Sequence, residues 1–442
     1  MISYTSAVKI IRASALQHSI AATSSSETIE LDRNSGQSLG QTLGRVLAEP
    51  LFSPEDVPSF TNSAMDGFAL NASDTVQASV SNPVTFRIDG LVAAGDLQAY
   101  EQCRPQGSMR GIEIMTGAPL PEATVHGDYD AVVRIEDVKL ERDASGNTTA
   151  IQITRPLQPG ENIRIKGTDF RVGDGVLSAG TRIQPEHLLA CASLGIRQIQ
   201  VKRHPRISVI STGSELVSPF EKNLQPGMIR NSTGPFLQAA LTNLGITSDY
   251  LGIVKDDPEF YRAALERAIY AGAEVIISTG AVSMGKYDFV FDVLTQMGAE
   301  IHFHKAAIRP GKPILFAEIE IGKRTCVFFG VPGNPVSTAV GLRFFVEPYL
   351  RSRQGLTLEK PLLATLTETC KKPEELKCFF KGRAQWDGQG LSVTVLKGQA
   401  SYIVSALVEA NCWVVLPEES AEVASRSRVE IYPLQSTTEV FP

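Results

Sequence analysis

Val209-Ile210-Ser211-Thr212-Gly213-Ser214-Glu215 is a short apolar run that ends in a small, polar, glycine-containing turn. Ile276-Ile277-Ser278-Thr279-Gly280-Ala281 repeats the pattern, and so does Phe328-Phe329-Gly330-Val331-Pro332-Gly333-Asn334-Pro335. Apolar runs with no polar side predict strands covered on both faces, as in a parallel sheet flanked by helices. Ligands of open α/β sheets sit beyond the carboxyl ends of the strands, where all three turns would lie. Glycine lets the backbone approach an anion closely, and the free amides that open the next helix supply donors and a favourable dipole. Ser211, Thr212, Gly213, Ser278, Thr279, Gly280, Pro332, Gly333 and Asn334 thus form a candidate phosphate-type rim. The loop Arg309-Pro310-Gly311-Lys312-Pro313 adds two cations in the same segment of chain.

Helix punctuation between these strands supports the α/β reading. Asn231 or Ser232 is placed to cap a helix that runs through Leu244 and stops at Gly245; Asp256 or Asp257 with Pro258 opens another that Gly272 ends. Phe289 to Met297 and Val336 to Leu350 predict two more helices, and Glu300 to Phe303 a strand. Strands alternating with helices from Arg206 to about Arg353 indicate right-handed crossovers and a largely parallel sheet. Upstream, a short helix is expected over Leu39 to Ala48, with a boundary near Pro50. Short β-like runs then follow to about Pro156: Val84 to Ile88, Gly111 to Met115, Ala131 to Ile135 and Ala150 to Ile153. Pro185 and Gly195 bracket a helix over Glu186 to Leu194. Beyond Pro361, Ser392 to Leu396, Cys412 to Leu416 and Val429 to Tyr432 read as strands of a small β domain.

The chain has 442 residues, more than one hydrophobic core usually holds, so several domains are expected. A composition 43% hydrophobic and 20% charged is that of a folded globular protein. A net charge of -6 argues against non-specific nucleic-acid binding, so an anionic substrate must be met by a local basic site. The six cysteines are widely spaced, with no C-x-x-C and no zinc spacing, which fits a reducing cytosol. No apolar stretch reaches the about 20 residues of a membrane span. Met1 to Ser26 lacks acids and is rich in serine, like a transit peptide, but Ala7, Val8, Ile10, Ile11, Ala15 and Leu16 favour an amphipathic helix.

Neither a G-x-G-x-x-G fingerprint nor a Walker loop is present. Glu215 and Asp288 fall just after the first two turns, where carboxylates hold Mg²⁺ against a phosphate or simply cap a helix. Lys305, Arg309 and Lys312 offer positive charge, and Lys312 is constrained between Gly311 and Pro313. Two further turns, Asn62 to Ala69 around Asp66 and Met115 to Pro121 around Thr116, read as structural when taken alone. His302 and His304 share one strand face but have no third ligand, which leaves a metal reading weak.

Taken in order, these segments resemble the molybdopterin molybdenumtransferase family, the MoeA type, whose fold is also the E domain of gephyrin-like proteins. The matching stretches are Asn62 to Ala69, Met115 to Pro121, Ser211 to Leu216, Gly227 to Ser232, Ser278 to Asp288, Lys305 to Pro313 and Gly330 to Pro335. The resemblance implies an elongated multidomain chain of α/β plus β class. Residues 1–50 with 157–204 would form a discontinuous dimerisation domain, 51–156 an inserted β domain, 205–355 a MogA-like α/β domain, and 356–442 a C-terminal β-barrel. It further implies a cytoplasmic homodimer with its active site shared between subunits, an adenylyltransferase partner of the MogA type, and delivery to molybdoenzymes or cofactor carriers. Neither nucleic acid nor membrane is an implied partner.

The implied reaction inserts molybdate into the dithiolene of adenylyl-molybdopterin and hydrolyses the adenylate, releasing molybdenum cofactor and AMP. Carried over by motif, Glu215 and Asp288 would serve Mg²⁺ and phosphate, Lys305 and Arg309 the anionic substrate, and Asp66 and Thr116 the partner side. Ser283, Gly311, Lys312, Ser337 and Lys381 join the rim residues as binding positions on the same ground. Several positions depart from the family pattern: Asn231 where an acid is common, Ser214 for Asp, Ala281 for Gly, Arg309 for Lys and Lys381 for Arg. A gephyrin-like scaffold, or a paralogue acting on another nucleotide-linked substrate, stands as the alternative. The presence of Asp66, Thr116, Glu215, Asp288 and the Lys305 to Pro313 loop favours the enzyme.

Overall fold

The structure, a computed structural model, describes residues 1–21, 26–31, 42–121, 128–281, 289–322, 324–388 and 390–435. Asp288 and Ser283 therefore lie outside the described residues. The chain divides into two compact units, one of residues 1–29, 35–48 and 200–442, the other of residues 30–34 and 49–199.

In the first unit a six-stranded sheet has the order Ser248–Val254, Ile207–Thr212, Val275–Thr279, Arg324–Val331, Leu315–Ile321, Glu300–His304. The first four strands are parallel, and Leu315–Ile321 runs antiparallel to both of its neighbours, Arg324–Val331 and Glu300–His304. Both faces are covered, so neighbouring strand residues part company. Val275, Ile277 and Phe329 pack with Leu237 and Leu241 of helix Thr233–Asn243, while Ile276 and Phe328 pack with Tyr261, Leu265 and Ile269 of helix Pro258–Tyr270. The second helix starts where Asp257 accepts from the amides of Glu259 and Phe260, with Pro258 in its first turn. It ends before Gly272, whose φ of +92° favours glycine. The Val336 to Leu350 expectation is met by an unbroken helical run: Pro335–Gly341, a π turn Leu342–Val346, then Glu347–Arg353.

Leu315–Ile321 is a strand that the sequence reading did not identify, and it makes this edge of the sheet antiparallel. It folds directly back, Ile321 pairing with Arg324, and so short a return leaves no room for the crossover that a parallel pair needs. The N-terminal helix, Tyr4–Ala21, buries Ala7, Ile11 and Ala15 at four-residue spacing in the same core as Phe345 and Tyr349. Of the helix expected over Leu39 to Ala48, Thr42 is helical and the C-terminal end is corrected. Val46 and Leu47 are extended and fully buried, with Leu47 bridging Val201 and the Lys202 amide donating to the Val46 carbonyl. Pairing to that strand outweighs the helical spacing.

Downstream, Lys377–Asp387 pairs with both Gly390–Val395 and Cys412–Leu416, and with Leu362–Leu366 and Arg428–Pro433 the five strands close into a barrel. Its interior holds Leu366, Phe380, Val393, Val414 and Ile431. Ile308–Arg309 adds to the Lys377 end of this sheet in parallel.

The second unit is built on another six-stranded sheet, ordered Ala131–Arg134, Gly67–Leu70, Arg110–Ile114, Val84–Val92, Thr148–Ile153, Lys139–Arg142. Every pairing in it is antiparallel except that of Val84–Val92 with Arg110–Ile114. Alternation is strict: Phe68 and Leu70 enter one core, Ala69 the other. Helix Pro185–Ser193 agrees with the punctuation by Pro185 and Gly195.

Candidate functional site

Three strand ends meet. Thr212 closes the first strand, Thr279 the second and Val331 the third, and the Gly280 amide donates to the Val331 carbonyl. A Cβ on Gly280 would stand 2.5 Å from the Thr212 carbonyl oxygen, and one on Gly333 would stand 3.5 Å from the Gly280 Cα. The turns are thus stacked backbone on backbone, a packing open only to glycine at 280, where φ is +88°. Beside them lies a cleft of about 530 Å³ lined by Thr212, Gly213, Glu215, Arg230, Asp256, Gly280, Gly333, Asn334 and Tyr402, among others.

The hydroxyls behind this rim are committed to holding it. Thr212 Oγ1 donates to the Thr279 carbonyl at 2.9 Å, and Tyr261 donates to Ser278 Oγ at 2.8 Å inside the core. Asn231 is buried; its amide donates to Ser211 Oγ at 3.1 Å and to the Tyr250 hydroxyl at 2.5 Å, while its Oδ1 accepts from Thr233 and from the Gly234 amide. A carboxylate at 231 accepts only, so the Ser211 and Tyr250 hydroxyls would have to turn and donate to it. Ser211, Ser278 and the Thr212 hydroxyl accordingly act as struts, and the surface facing a ligand is left to the backbone of the turns and to side chains such as Glu215, Arg230 and Asn334.

Ser214 and Asp256 clamp two strand ends together. The Ser214 amide donates to Asp256 Oδ2 at 2.9 Å, and the Asp256 amide donates to Ser214 Oγ at 3.2 Å. Glu215 Oε2 would lie 2.8 Å from a Cβ on Gly213, so its carboxylate folds over the first turn. Ala281 carries φ +49°, a left-handed conformation that glycine would adopt without strain.

The Arg309 to Pro313 loop sits against the helix that opens at the third turn: a Cβ on Gly311 would stand 3.6 Å from the Ser337 carbonyl. The Lys312 carbonyl accepts from the amides of Ala306 and Ile314, which fixes its backbone and leaves its side chain exposed. Lys305 is held through its carbonyl by the Ile2 amide, and Arg309 is exposed. Lys381 lies in the barrel, fully buried. Its ammonium donates to the carbonyls of Gly398, Ala400 and Ile403 at 2.7, 3.2 and 3.1 Å. Those bonds fasten the loop that carries Tyr402, and Ser401 of that loop accepts from the Val336 amide at 3.0 Å.

In the second unit, Thr116 donates to Asp66 Oδ1 twice, through its amide at 2.6 Å and its hydroxyl at 2.8 Å. The Thr116 amide, seconded by the hydroxyl, holds this exposed carboxyl below the usual carboxylate range. The two turns that looked idle in sequence are one joined feature. Among the described residues no group of three His, Cys, Asp or Glu side chains could hold a metal, and His302 Nε2 lies 3.4 Å from a Glu318 carboxylate oxygen. Sequence reasoning missed Arg230, Thr233 and Tyr402 and read Asp256 only as a helix cap. The signal for Asp256 was its place one residue before the cap, at a strand end; Tyr402 gave none.

Glycine turns converging at the carboxyl ends of parallel strands define an α/β protein with its cleft where ligands of open α/β sheets bind. The comparisons narrow the class. The chain matches the MoeA N-terminal region (domain I and II) over residues 2–195, the probable molybdopterin binding domain over 208–352, and the MoeA C-terminal region (domain IV) over 364–434. It is 37% identical over 387 residues to a molybdopterin molybdenumtransferase of Synechococcus elongatus, covering 88% of this chain and 91% of that one. To the Haemophilus influenzae protein of the same name it is 36% identical, over 87% and 90% of the two chains. The crystal structure of the molybdopterin biosynthesis MoeA protein of Pyrococcus horikoshii OT3 superposes with a TM-score of 0.75 at 27% identity, covering 98% of this chain and 99% of that one. This chain belongs to the MoeA family of molybdopterin molybdenumtransferases, transferases of molybdenum cofactor biosynthesis.

Proposed function

We propose that this chain inserts molybdate into the dithiolene of adenylyl-molybdopterin and hydrolyses the adenylate, releasing molybdenum cofactor and AMP. The observation that carries this reading is the stacking of three glycine turns around one cleft with Glu215 at its rim. Both reactants are anions, so their approach requires neutralisation by backbone amides and cations. Lys305, Arg309 and Lys312 serve that role, with Arg230 at the cleft itself. The substrate's own sulfurs attack molybdenum and water attacks the phosphate, so the chain supplies position and charge rather than a nucleophile.

The cleft fits Mg²⁺. Glu215 and Asp256 bring carboxylate oxygens to it, and Mg²⁺ keeps several waters and phosphate oxygens, needing only one or two protein carboxylates. When bound, the ion would polarise the phosphoanhydride. Asp288 is assigned to the same task by its motif. The four-part division of the chain, a homodimer whose Asp66 and Thr116 complete the partner's site, a cytoplasmic setting, and receipt of substrate from a MogA-type adenylyltransferase for delivery to molybdoenzymes belong to the same reading. The test is direct: purified protein with adenylyl-molybdopterin, molybdate and Mg²⁺ releases AMP and activates a cofactor-free molybdoenzyme. Neither product forming would overturn the reading.

A further inference from the structure

At the opposite edge of the α/β sheet, a second cleft of about 450 Å³ gathers four arginines around one carboxylate. It lies at the amino ends of three parallel strands: Arg206 precedes Ile207–Thr212, Glu274 precedes Val275–Thr279, and Arg324 begins the third. A strand length of roughly 20 Å separates it from the glycine turns.

Glu274 is fully engaged. It pairs with Arg203 at 2.9 Å and with Arg353, and accepts from the Arg206 amide at 3.0 Å. Arg353 is 10% exposed and also donates to the Tyr349 hydroxyl at 3.4 Å, so the floor of the cleft is fixed. Two guanidiniums already exceed the single carboxylate. The side chains of Arg206 and Arg324 make no ion pair with any described residue, yet the Nη1 atoms of both come within 4 Å of the point where a Cβ on Gly272 would be, at 3.1 and 3.9 Å. Like charges converge there on a site that glycine keeps open, in a chain whose net charge is -6. The C-terminal end of helix Pro258–Tyr270 faces this edge and attracts a cation, but its last carbonyls at Arg267, Ala268 and Ile269 already accept backbone bonds. Guanidinium forks match phosphate oxygens in geometry and charge.

We propose that this cleft is a second anion site, taking the phosphate group of a small molecule on Arg206 and Arg324 above the Arg203–Glu274–Arg353 floor. It is independent of the transferase reading. The test titrates inorganic phosphate, pyrophosphate and AMP by calorimetry into the full chain and into Arg206→Gln/Arg324→Gln, both on a Lys312→Ala background that weakens the turn-side site. The two exposed arginines are not part of the core, and a melting curve checks that the variant folds. The expected result is at least tenfold weaker binding in the double variant, with loss of affinity at high salt. Phosphate binding as tightly as AMP identifies the free ion as the source; AMP or pyrophosphate binding more tightly identifies a larger phosphorylated molecule. No binding of any probe at millimolar concentration, or equal affinity in the two proteins, overturns the proposal. In wild-type background the double variant keeps its transferase turnover.

Discussion

Gly280 rests directly on Thr212: a Cβ at 280 would lie 2.5 Å from the Thr212 carbonyl oxygen and 2.6 Å from its Oγ1. Both sides of the contact are tied down, since Thr212 Oγ1 donates to the Thr279 carbonyl and the Gly280 amide donates to the Val331 carbonyl. Gly280→Ala therefore has nowhere to place its methyl without separating the turns. The left-handed backbone alone costs about 1–2 kcal/mol, and the clash adds to it. Denaturant unfolding should show a loss of at least that size, and calorimetry a matching loss of adenylyl-molybdopterin affinity. Full affinity in the variant would remove the stacked turns from the site.

Lys312 offers the opposite case, a fixed backbone with an exposed side chain. Lys312→Ala should leave the melting temperature nearly unchanged. An ionic hydrogen bond to substrate is worth about 1.5–3 kcal/mol, so Kd for adenylyl-molybdopterin or molybdate should rise roughly tenfold to a hundredfold. Unchanged affinity for both ligands would exclude this loop from binding.

How much of this was legible in the sequence follows from where each signal resides. The three turns announced themselves because strand, glycine and helix start are adjacent in the chain, and Asp257, Pro258 and Gly272 punctuated their helix as local rules require. Leu315–Ile321 escaped because its direction depends on a hairpin partner rather than on its own composition. Lys377–Asp387 carries Lys381 and Arg383 and so does not look like a core strand. Lys381 is buried only because three carbonyls from residues 398–403 come to meet it, a tertiary fact. The same loop brings Tyr402 to the cleft. Asp66 and Thr116 stand 50 residues apart, and nothing local to either says that one accepts two hydrogen bonds from the other.

His204 predicts a pH dependence. Its Nδ1 meets the Gln354 amide, its Nε2 is buried without a partner, and burial pushes its pKa down to about 4. The folded chain thus holds His204 neutral while the unfolded chain protonates it near the ordinary value of about 6.5. Its contribution is fully present above that value and is lost as pH falls toward 4, at most roughly 3 kcal/mol by linkage. Urea unfolding of wild type and His204→Gln from pH 7.5 to 4.5 should show the stability difference shifting toward the variant as acid is added. A difference that stays constant across the range would mean that His204 titrates alike in the folded and unfolded chain.

The shared-site reading is testable by complementation. Asp66 belongs to the second unit and Glu215 to the first, and in the proposed homodimer they serve one site from different subunits. Asp66→Asn leaves Thr116 facing an amide in place of the charge that accepts both of its bonds, and Glu215→Gln removes the carboxylate over the first turn. Each homodimer should be nearly inactive. When the two variants are unfolded and refolded together in equal amounts, random pairing makes about half the dimers mixed. Each mixed dimer has one site with both lesions and one with neither, so about a quarter of all sites should regain turnover by that symmetry. If mixed dimers form, as mass spectrometry of isotopically labelled subunits would reveal, and AMP release stays at the level of the separate variants, the two carboxylates act within one chain and the shared site is wrong.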